Sequence, residues 1–131
     1  MNTLAGVTPL QAAAVAVGAG LGALLRWFAG LALNGLWLGF PLGTLAVNCL
    51  GGGLIGVAMV WFARFPDELL RLLLVTGLLG GFTTFSAFSA ESLGLLQRGD
   101  FGLALLHSGA HLVGALACTA LGFALSRAVL G

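Results

Sequence analysis

The chain has 131 residues, of which 60% are hydrophobic and 7% are charged. This balance excludes an ordinary soluble domain and indicates an integral membrane protein. The charged residues are five Arg, two Asp and two Glu, with no Lys, so the chain has neither a basic arm for nucleic acid nor an acidic tail.

Four apolar runs of about 20 residues or more follow one another, and each is long enough to cross a membrane as a helix. We predict spans at about residues 11–33, 41–63, 69–96 and 101–129, which makes residues 1–131 one four-span transmembrane domain. Pro41 suits the start of a helix. The first run is too long for a signal-peptide core, so we expect it to stay attached.

The third span contains an unusual segment, G-L-L-G-G-F-T-T-F-S-A-F-S-A-E, from Gly77 to Glu91. Hydrocarbon supplies no hydrogen bonds, so a helix can unwind at this depth only where protein or an ion meets the freed backbone. We predict a break at about residues 77–84. Carbonyl oxygens released there suit a hard cation such as sodium, although a simple glycine-rich kink would also explain the composition. The carbonyls concerned belong to Gly80, Gly81, Thr83 and Thr84.

Asn48 is a polar residue near the middle of the second span, with Thr44 one turn before it on the same face. A buried amide costs a few kcal/mol unless it is hydrogen-bonded. Two interpretations stay open: a hydrogen bond to another helix, which is common for Asn in membranes, and a donor that faces a water-filled anion path.

Phe85, Phe88 and Glu91 follow the break at three-residue spacing and share one helix face. Aromatic residues at this spacing usually pack in a core or against lipid, but their positively polarised ring edges also suit the wall of an anion path. Glu91 is a functional candidate because ionisable residues in spans are costly. Pairing with an arginine would explain it equally well.

His107 and His111 lie four residues apart on the fourth span, a spacing that permits shared metal ligation. The sequence offers no third ligand nearby, so a polar stripe that faces a neighbouring helix is the better interpretation. His111, Ala115 and Thr119 continue at four-residue spacing along this stripe. The chain lacks phosphate-binding and dinucleotide-binding motifs and a nucleophile with its base, so we do not expect an enzyme.

Arginines decide the orientation of a membrane protein, and here they are almost balanced. Three of them, Arg64, Arg71 and Arg127, fall on the face that holds both termini; Arg98 falls on the other, joined by Arg26 if its side chain reaches the end of the first span. The count permits either one orientation or insertion in both, which would favour an antiparallel dimer. The glycine pairs Gly18/Gly22, Gly52/Gly56 and Gly77/Gly81 suit close contacts between subunits or within one.

Three motifs resemble the small fluoride channels of the Fluc or CrcB family: G-A-L-L-R-W (Gly22 to Trp27), P-L-G-T-L-A-V-N (Pro41 to Asn48) and T-G-L-L-G-G-F-T-T-F-S-A-F-S-A-E (Thr76 to Glu91). The resemblance covers all four spans. It implies an all-α membrane protein with a broken third helix, assembled as an antiparallel, dual-topology homodimer with two fluoride pores along the subunit interfaces. It also implies a central sodium ion held by the main-chain carbonyls of Gly80 and Thr83 from both subunits.

The resemblance also implies roles for single residues. The paired pore phenylalanines of the family fall on Phe85 and Phe88, its second-span asparagine on Asn48, its vestibule arginine on Arg26 and its third-span glutamate on Glu91. Relatives often carry serines where this chain has His111 and Ala115, and threonine where it has Ala87. We expect the fluoride pathway to contain Arg26, Asn48, Phe85, Ser86, Phe88, Glu91, His111 and Thr119.

The function that this resemblance implies is passive fluoride export across a bacterial inner membrane, which relieves fluoride toxicity. Two alternatives stay open. A small dual-topology exchanger of protons for cations or drugs would need a carboxylate deep in the bundle, for which Glu91 is the candidate. A helper subunit of a larger complex would have no flux of its own.

Overall fold

The computed structural model describes residues 6–37 and 39–131, which form helices and turns without any strand. Four helices in this part are long and apolar enough to cross a membrane, at Pro9–Leu33, Leu42–Arg64, Glu68–Gln97 and Phe101–Leu130. We name the first, second and fourth α1, α2 and α6. The third consists of α3 (Glu68–Arg71), a π-helical segment (Leu72–Leu79), α4 (Gly80–Phe82) and α5 (Phe85–Gln97). The predicted all-helical fold with four spanning helices is confirmed.

Local capping explains where the first and third spans begin. The Thr8 hydroxyl accepts a hydrogen bond from the main-chain N–H of Gln11, whose side chain accepts one from the N–H of Thr8. This reciprocal pair satisfies two N–H groups that no earlier helical turn can serve. Asp67 caps α3 with a single hydrogen bond, in which its carboxylate accepts from the N–H of Leu70 at 2.9 Å.

The third span changes winding twice along its length. Its Leu72–Leu79 segment is π-helical. This geometry is rare in proteins overall, and where it occurs it is often at a functional site. The helix then stops at Thr83 and Thr84, which are extended, and resumes at Phe85. The Thr84 hydroxyl starts α5 by accepting from the N–H of Ala87 at 3.1 Å. The break therefore consists of two residues between two helices.

Glycines let the helices approach closely in two pairs, α1 with the third span and α2 with α6. A methyl group at Gly22 would meet the main chain of Phe82, with its nitrogen at 2.7 Å. One at Gly56 would meet the main-chain nitrogen of Phe123, also at 2.7 Å. The glycine pairs considered above for contacts between subunits thus pack inside one chain.

Candidate functional site

An open groove of about 430 Å³ surrounds the break in the third span. It lies between α2, the third span and α6, and polar groups of all three spans interrupt a lining that is mostly apolar. Six of the residues predicted as pathway or sodium ligands line it together: Asn48, Gly80, Thr83, Phe85, Phe88 and His111.

Asn48 on α2 holds the backbone of the break. Its Oδ1 accepts from the N–H of Thr84 at 2.8 Å, and its Nδ2 donates to the carbonyl oxygen of Thr84 at 2.9 Å. The same Nδ2 lies 3.1 Å from Nδ1 of His111 on α6. The amide therefore bonds to two other spans, which is the interhelical arrangement that its position allowed.

The break diverts two main-chain donors from their helical partners. In a continuous α-helix the N–H of Thr84 would bond to the carbonyl of Gly80, and that of Ala87 to the carbonyl of Thr83. Here the first donates to Asn48 and the second to the hydroxyl of Thr84. The carbonyls of Gly80 and Thr83 thereby lose the donors that a helix would supply, and they do so beside the groove.

Arg26 points towards the break and away from the end of its helix. Its Nε donates to the carbonyl oxygen of Gly81 at 3.0 Å, and the side chain is half-buried. The possibility that Arg26 reaches the end of the first span was therefore wrong. The guanidinium bonds to this main-chain acceptor because a charged donor inside a span is stabilised more by a hydrogen bond than by contact with an apolar surface.

The two predicted phenylalanines differ in their surroundings. Phe85 is 72% exposed on the open side of the groove, whereas Phe88 is 8% exposed. Their ring centroids are 5.2 Å apart. The ring of Phe88 also lies 4.6 Å from that of His111 and 5.5 Å from that of His107. Phe88 is thus a packed wall of the groove, while Phe85 presents its ring outwards.

Glu91 connects α2, α5 and α6 through hydrogen bonds. Its Oε1 accepts from the hydroxyl of Thr44 at 2.5 Å, and its Oε2 lies 3.2 Å from Nε2 of His107. Nδ1 of the buried His107 in turn lies 2.9 Å from the hydroxyl of Ser92. The arginine partner considered for Glu91 is therefore replaced by a histidine and a threonine.

Glu91, His107 and His111 form a cluster, in which one possible metal-ligand atom from each side chain lies within 4.8 Å of the other two. The sequence did not lead us to expect this cluster. The statement that the histidines lack a third ligand nearby was wrong. The chain did hold a signal, since α5 and α6 are antiparallel neighbours joined by a tight turn at Gly99. Glu91 and His107 each lie eight residues from that turn, which puts them side by side.

Four predicted pathway residues lie outside the groove: Arg26, which bonds to Gly81, and Ser86, Glu91 and Thr119. The Ser86 hydroxyl is exposed, 3.2 Å from that of Thr84. The Thr119 hydroxyl donates to the carbonyl of Ala115 on its own helix at 2.9 Å. Glu91 lines a separate pocket of about 280 Å³ near the helix ends, together with Asn34, Pro41 and Arg98.

Comparison with known proteins gives the family. The family described as CrcB-like protein, Camphor Resistance (CrcB), matches residues 13–123. Relatives named fluoride-specific ion channel FluC include one from Aromatoleum aromaticum, 51% identical over 85% of this chain and 86% of its own. A relative from Bordetella bronchiseptica is 51% identical over 93% of this chain and 95% of its own. A relative from Burkholderia cenocepacia is 52% identical over 88% of this chain and 91% of its own. The chain is therefore a multi-pass membrane protein, and it belongs to the CrcB family.

Proposed function

We propose that this chain is the subunit of a fluoride channel. The observation that carries the proposal is the groove at the break, where Phe85, Phe88 and polar groups of three spans meet at membrane depth. Relatives about half identical to the chain carry the name fluoride-specific ion channel. Fluoride is small and strongly hydrated, so a narrow path must replace its water with hydrogen-bond donors and the positive edges of aromatic rings.

The proposed channel is an antiparallel homodimer with both orientations in the membrane. The groove is open in the single chain, and polar backbone at membrane depth needs cover from protein or water. A second copy packed against it would supply that cover and turn two grooves into two pores. With Arg26 bonded beside the break, three arginines lie on the face with the termini and one on the other, a small difference that is compatible with insertion in both orientations.

A structural sodium ion is proposed at the centre of this dimer. The carbonyls of Gly80 and Thr83 are the ones whose helical donors are diverted, and neutral carbonyl oxygens are ligands that a hard cation prefers. Two copies would offer four such oxygens. The bound ion would supply positive charge that holds the two broken helices together.

The direction of transport follows from charge. Fluoride enters an acidified cell as neutral HF and dissociates inside, so the negative potential of a bacterial inner membrane drives the anion out through a passive path. The alternative of a proton-coupled exchanger requires a carboxylate that is free to exchange protons with its cargo. Both oxygens of Glu91 are engaged by Thr44 and His107, which argues against that role.

Fluoride and chloride efflux from liposomes that contain the purified protein tests the proposal. We expect rapid fluoride efflux with little chloride efflux, and weaker flux or a less stable dimer after purification and reconstitution with N-methylglucamine in place of sodium. The absence of fluoride flux, or equal flux of the two anions, would refute the channel. Full activity and dimer stability without measurable bound sodium would refute only the ion site.

A further inference from the structure

A pocket of about 310 Å³ lies between the C-terminal ends of α2 and α6, on the membrane face that holds both termini. It shares no lining residue with the groove at the break. Arg64 and Arg127 line it, and most of its other lining residues are apolar, among them Met59, Val60 and Phe123. We name it the arginine pocket, because its two charged side chains are both arginines.

The arginine pocket changes from charged to apolar with depth in the membrane. Arg64 and Arg127 belong to the last turns of α2 and α6, where these spans reach the membrane surface. Met59 precedes Arg64 by five residues, and Phe123 precedes Arg127 by four. These apolar side chains therefore lie about 6–8 Å deeper along their helices. A phospholipid has the same order, with a charged headgroup at the surface and apolar acyl chains beneath it.

Neither arginine of the pocket is paired with a carboxylate. In the part of the chain that the structure describes, the contacts between basic and acidic side chains are those of Arg98 and His107. The arginine pocket therefore keeps its positive charge. At the edge of a membrane this charge attracts an anion more strongly than it would in bulk water, because the local dielectric constant is lower.

A structural role at the helix ends accounts for one of the two arginines. Basic side chains in the last turn of a helix can satisfy its free carbonyl groups. Nη1 of Arg64 does so, because it donates to the main-chain oxygens of Leu130 and Gly131. Among residues 6–37 and 39–131, the side chain of Arg127 makes no such bond, and the residue is exposed. Its guanidinium is thus available to an anion from outside the chain.

We propose that the arginine pocket binds one anionic phospholipid, whose phosphate contacts Arg127 and whose acyl chain lies between α2 and α6. A guanidinium matches a phosphate with two parallel N–H donors, and Arg64 adds positive charge beside it. Basic pockets between membrane helices suit acidic headgroups for this reason. A zwitterionic lipid fits less well, because the two arginines repel its ammonium group. The inference does not depend on which ion the chain conducts.

Lipid retention by the unmodified protein tests the proposal without any mutation. The full-length protein is reconstituted in phosphatidylcholine vesicles that contain equal minor fractions of phosphatidylglycerol and phosphatidylethanolamine with the same acyl chains. It is then extracted in a mild detergent, and native mass spectrometry counts the lipids that stay bound. We expect several-fold more bound phosphatidylglycerol than phosphatidylethanolamine. Equal retention of the two lipids would overturn the proposal.

Arg127→Gln and Arg71→Gln separate the pocket from general surface charge. Each removes one exposed arginine from the face that holds the termini, so any effect on orientation is shared. Of the two residues, only Arg127 lines the pocket. Arg127→Gln should lower the retention of phosphatidylglycerol about fivefold, and Arg71→Gln should leave it unchanged. Equal losses in both variants would show that the lipid responds to surface charge alone, which would overturn the proposal.

Ala63→Phe tests the apolar part of the pocket without any change in charge. Ala63 is exposed and lines the pocket, so a phenyl ring there fills space that the acyl chain would occupy. Ala128→Phe is the matched control, because Ala128 is exposed near the same end of α6 but does not line the pocket. Ala63→Phe should lower the retention of phosphatidylglycerol several-fold, and Ala128→Phe should not. Unchanged retention in folded Ala63→Phe would place the lipid elsewhere and overturn the proposal.

Discussion

Asn48 shows how one polar side chain can serve a break in a helix. The N–H and carbonyl of Thr84 lie inside a span, where water cannot hydrogen-bond to them. A primary amide has one acceptor and two donors, so a single Asn can pair with both groups and still reach His111. A carboxylate or a hydroxyl in its place would leave at least one of these three contacts unmade.

The two phenylalanines that are predicted to line the pore, Phe85 and Phe88, should respond differently to replacement by isoleucine. Phe88→Ile should lower fluoride flux and also reduce stability by about 1 kcal/mol, because the buried ring packs on both histidines. Phe85→Ile should lower the flux of the proposed channel with little change in the stability of the single chain, because Phe85 is 72% exposed. Fluoride efflux and thermal unfolding in detergent measure the two effects.

Phe101→Ile is the matched control for these variants, because Phe101 is as exposed as Phe85 but lies at the start of α6, outside the groove. It should leave fluoride flux near its original value. Normal flux in both Phe85→Ile and Phe88→Ile would remove the rings from the mechanism.

For the residues around the groove, the sequence predicts which side chains are unusual but not which groups they bond to. Asn48, Phe85 and Phe88 could be selected because polar or paired aromatic groups at membrane depth are unusual in themselves. The partners of Asn48 could not be selected, because they depend on where the backbone of Thr84 turns. The engagement of Arg26 with Gly81 was hidden for the same reason: its acceptor is a main-chain carbonyl, which every residue has.

Among the elements, the third span combines features that a sequence predicts unequally. The Gly, Thr and Ser content between Gly77 and Glu91 predicts an interruption, and the Thr84 hydroxyl suits the start of a new helix. The π-helical winding of Leu72–Leu79 could not be predicted from the sequence, because the residues of this segment are as apolar as those of any span. The segment packs against α1, where glycines bring the two backbones into contact.

Glycine contacts between α1 and the third span give a prediction about stability. Gly22→Ala should destabilise the protein by about 1–3 kcal/mol, because the added methyl group would meet the backbone at Leu78 and Phe82. Gly20→Ala, two residues earlier on the same helix, meets nothing within 4 Å. It should be neutral or stabilise the helix by up to about 1 kcal/mol.

Unfolding of the two alanine variants in the same detergent measures this difference. Because the comparison is made on one helix with the same substitution, helix propensity and hydrophobicity change equally. Equal stabilities for Gly22→Ala and Gly20→Ala would contradict the close approach of α1 to the third span.

At the scale of the whole molecule, the single chain leaves the groove at the break open. Four apolar spans and their order could be predicted from hydropathy alone, because each run exceeds the thickness of a bilayer. The groove could not, since it is assembled from α2, α6 and both sides of the break. Its open side is the reason that the proposed function requires a second copy.

Dual topology predicts that a reporter on one loop is reached from both sides of the membrane. Leu36 lies exposed in the loop between α1 and α2, so Leu36→Cys, with Cys49 and Cys118 replaced by Ala, provides a single accessible thiol. A membrane-impermeant maleimide should label roughly half of the copies from each side in an antiparallel dimer. Labelling from one side only would refute dual topology.

Charge can then turn the same assay into a test of whether function needs both orientations. Arg98→Gln removes the arginine that opposes those on the other face, so this variant should insert mostly one way. Arg71→Gln and Arg127→Gln combined with Gln97→Arg reverse the bias, because they leave one arginine on the face with the termini and put two on the other. Because an antiparallel dimer needs one copy of each orientation, either variant alone should lose most fluoride flux, and producing both together should restore it. Full flux from a variant that labels from one side only would show that the pore forms without an inverted partner. A loss of flux that co-production does not restore would show that the substitutions damage the fold and do not act through orientation.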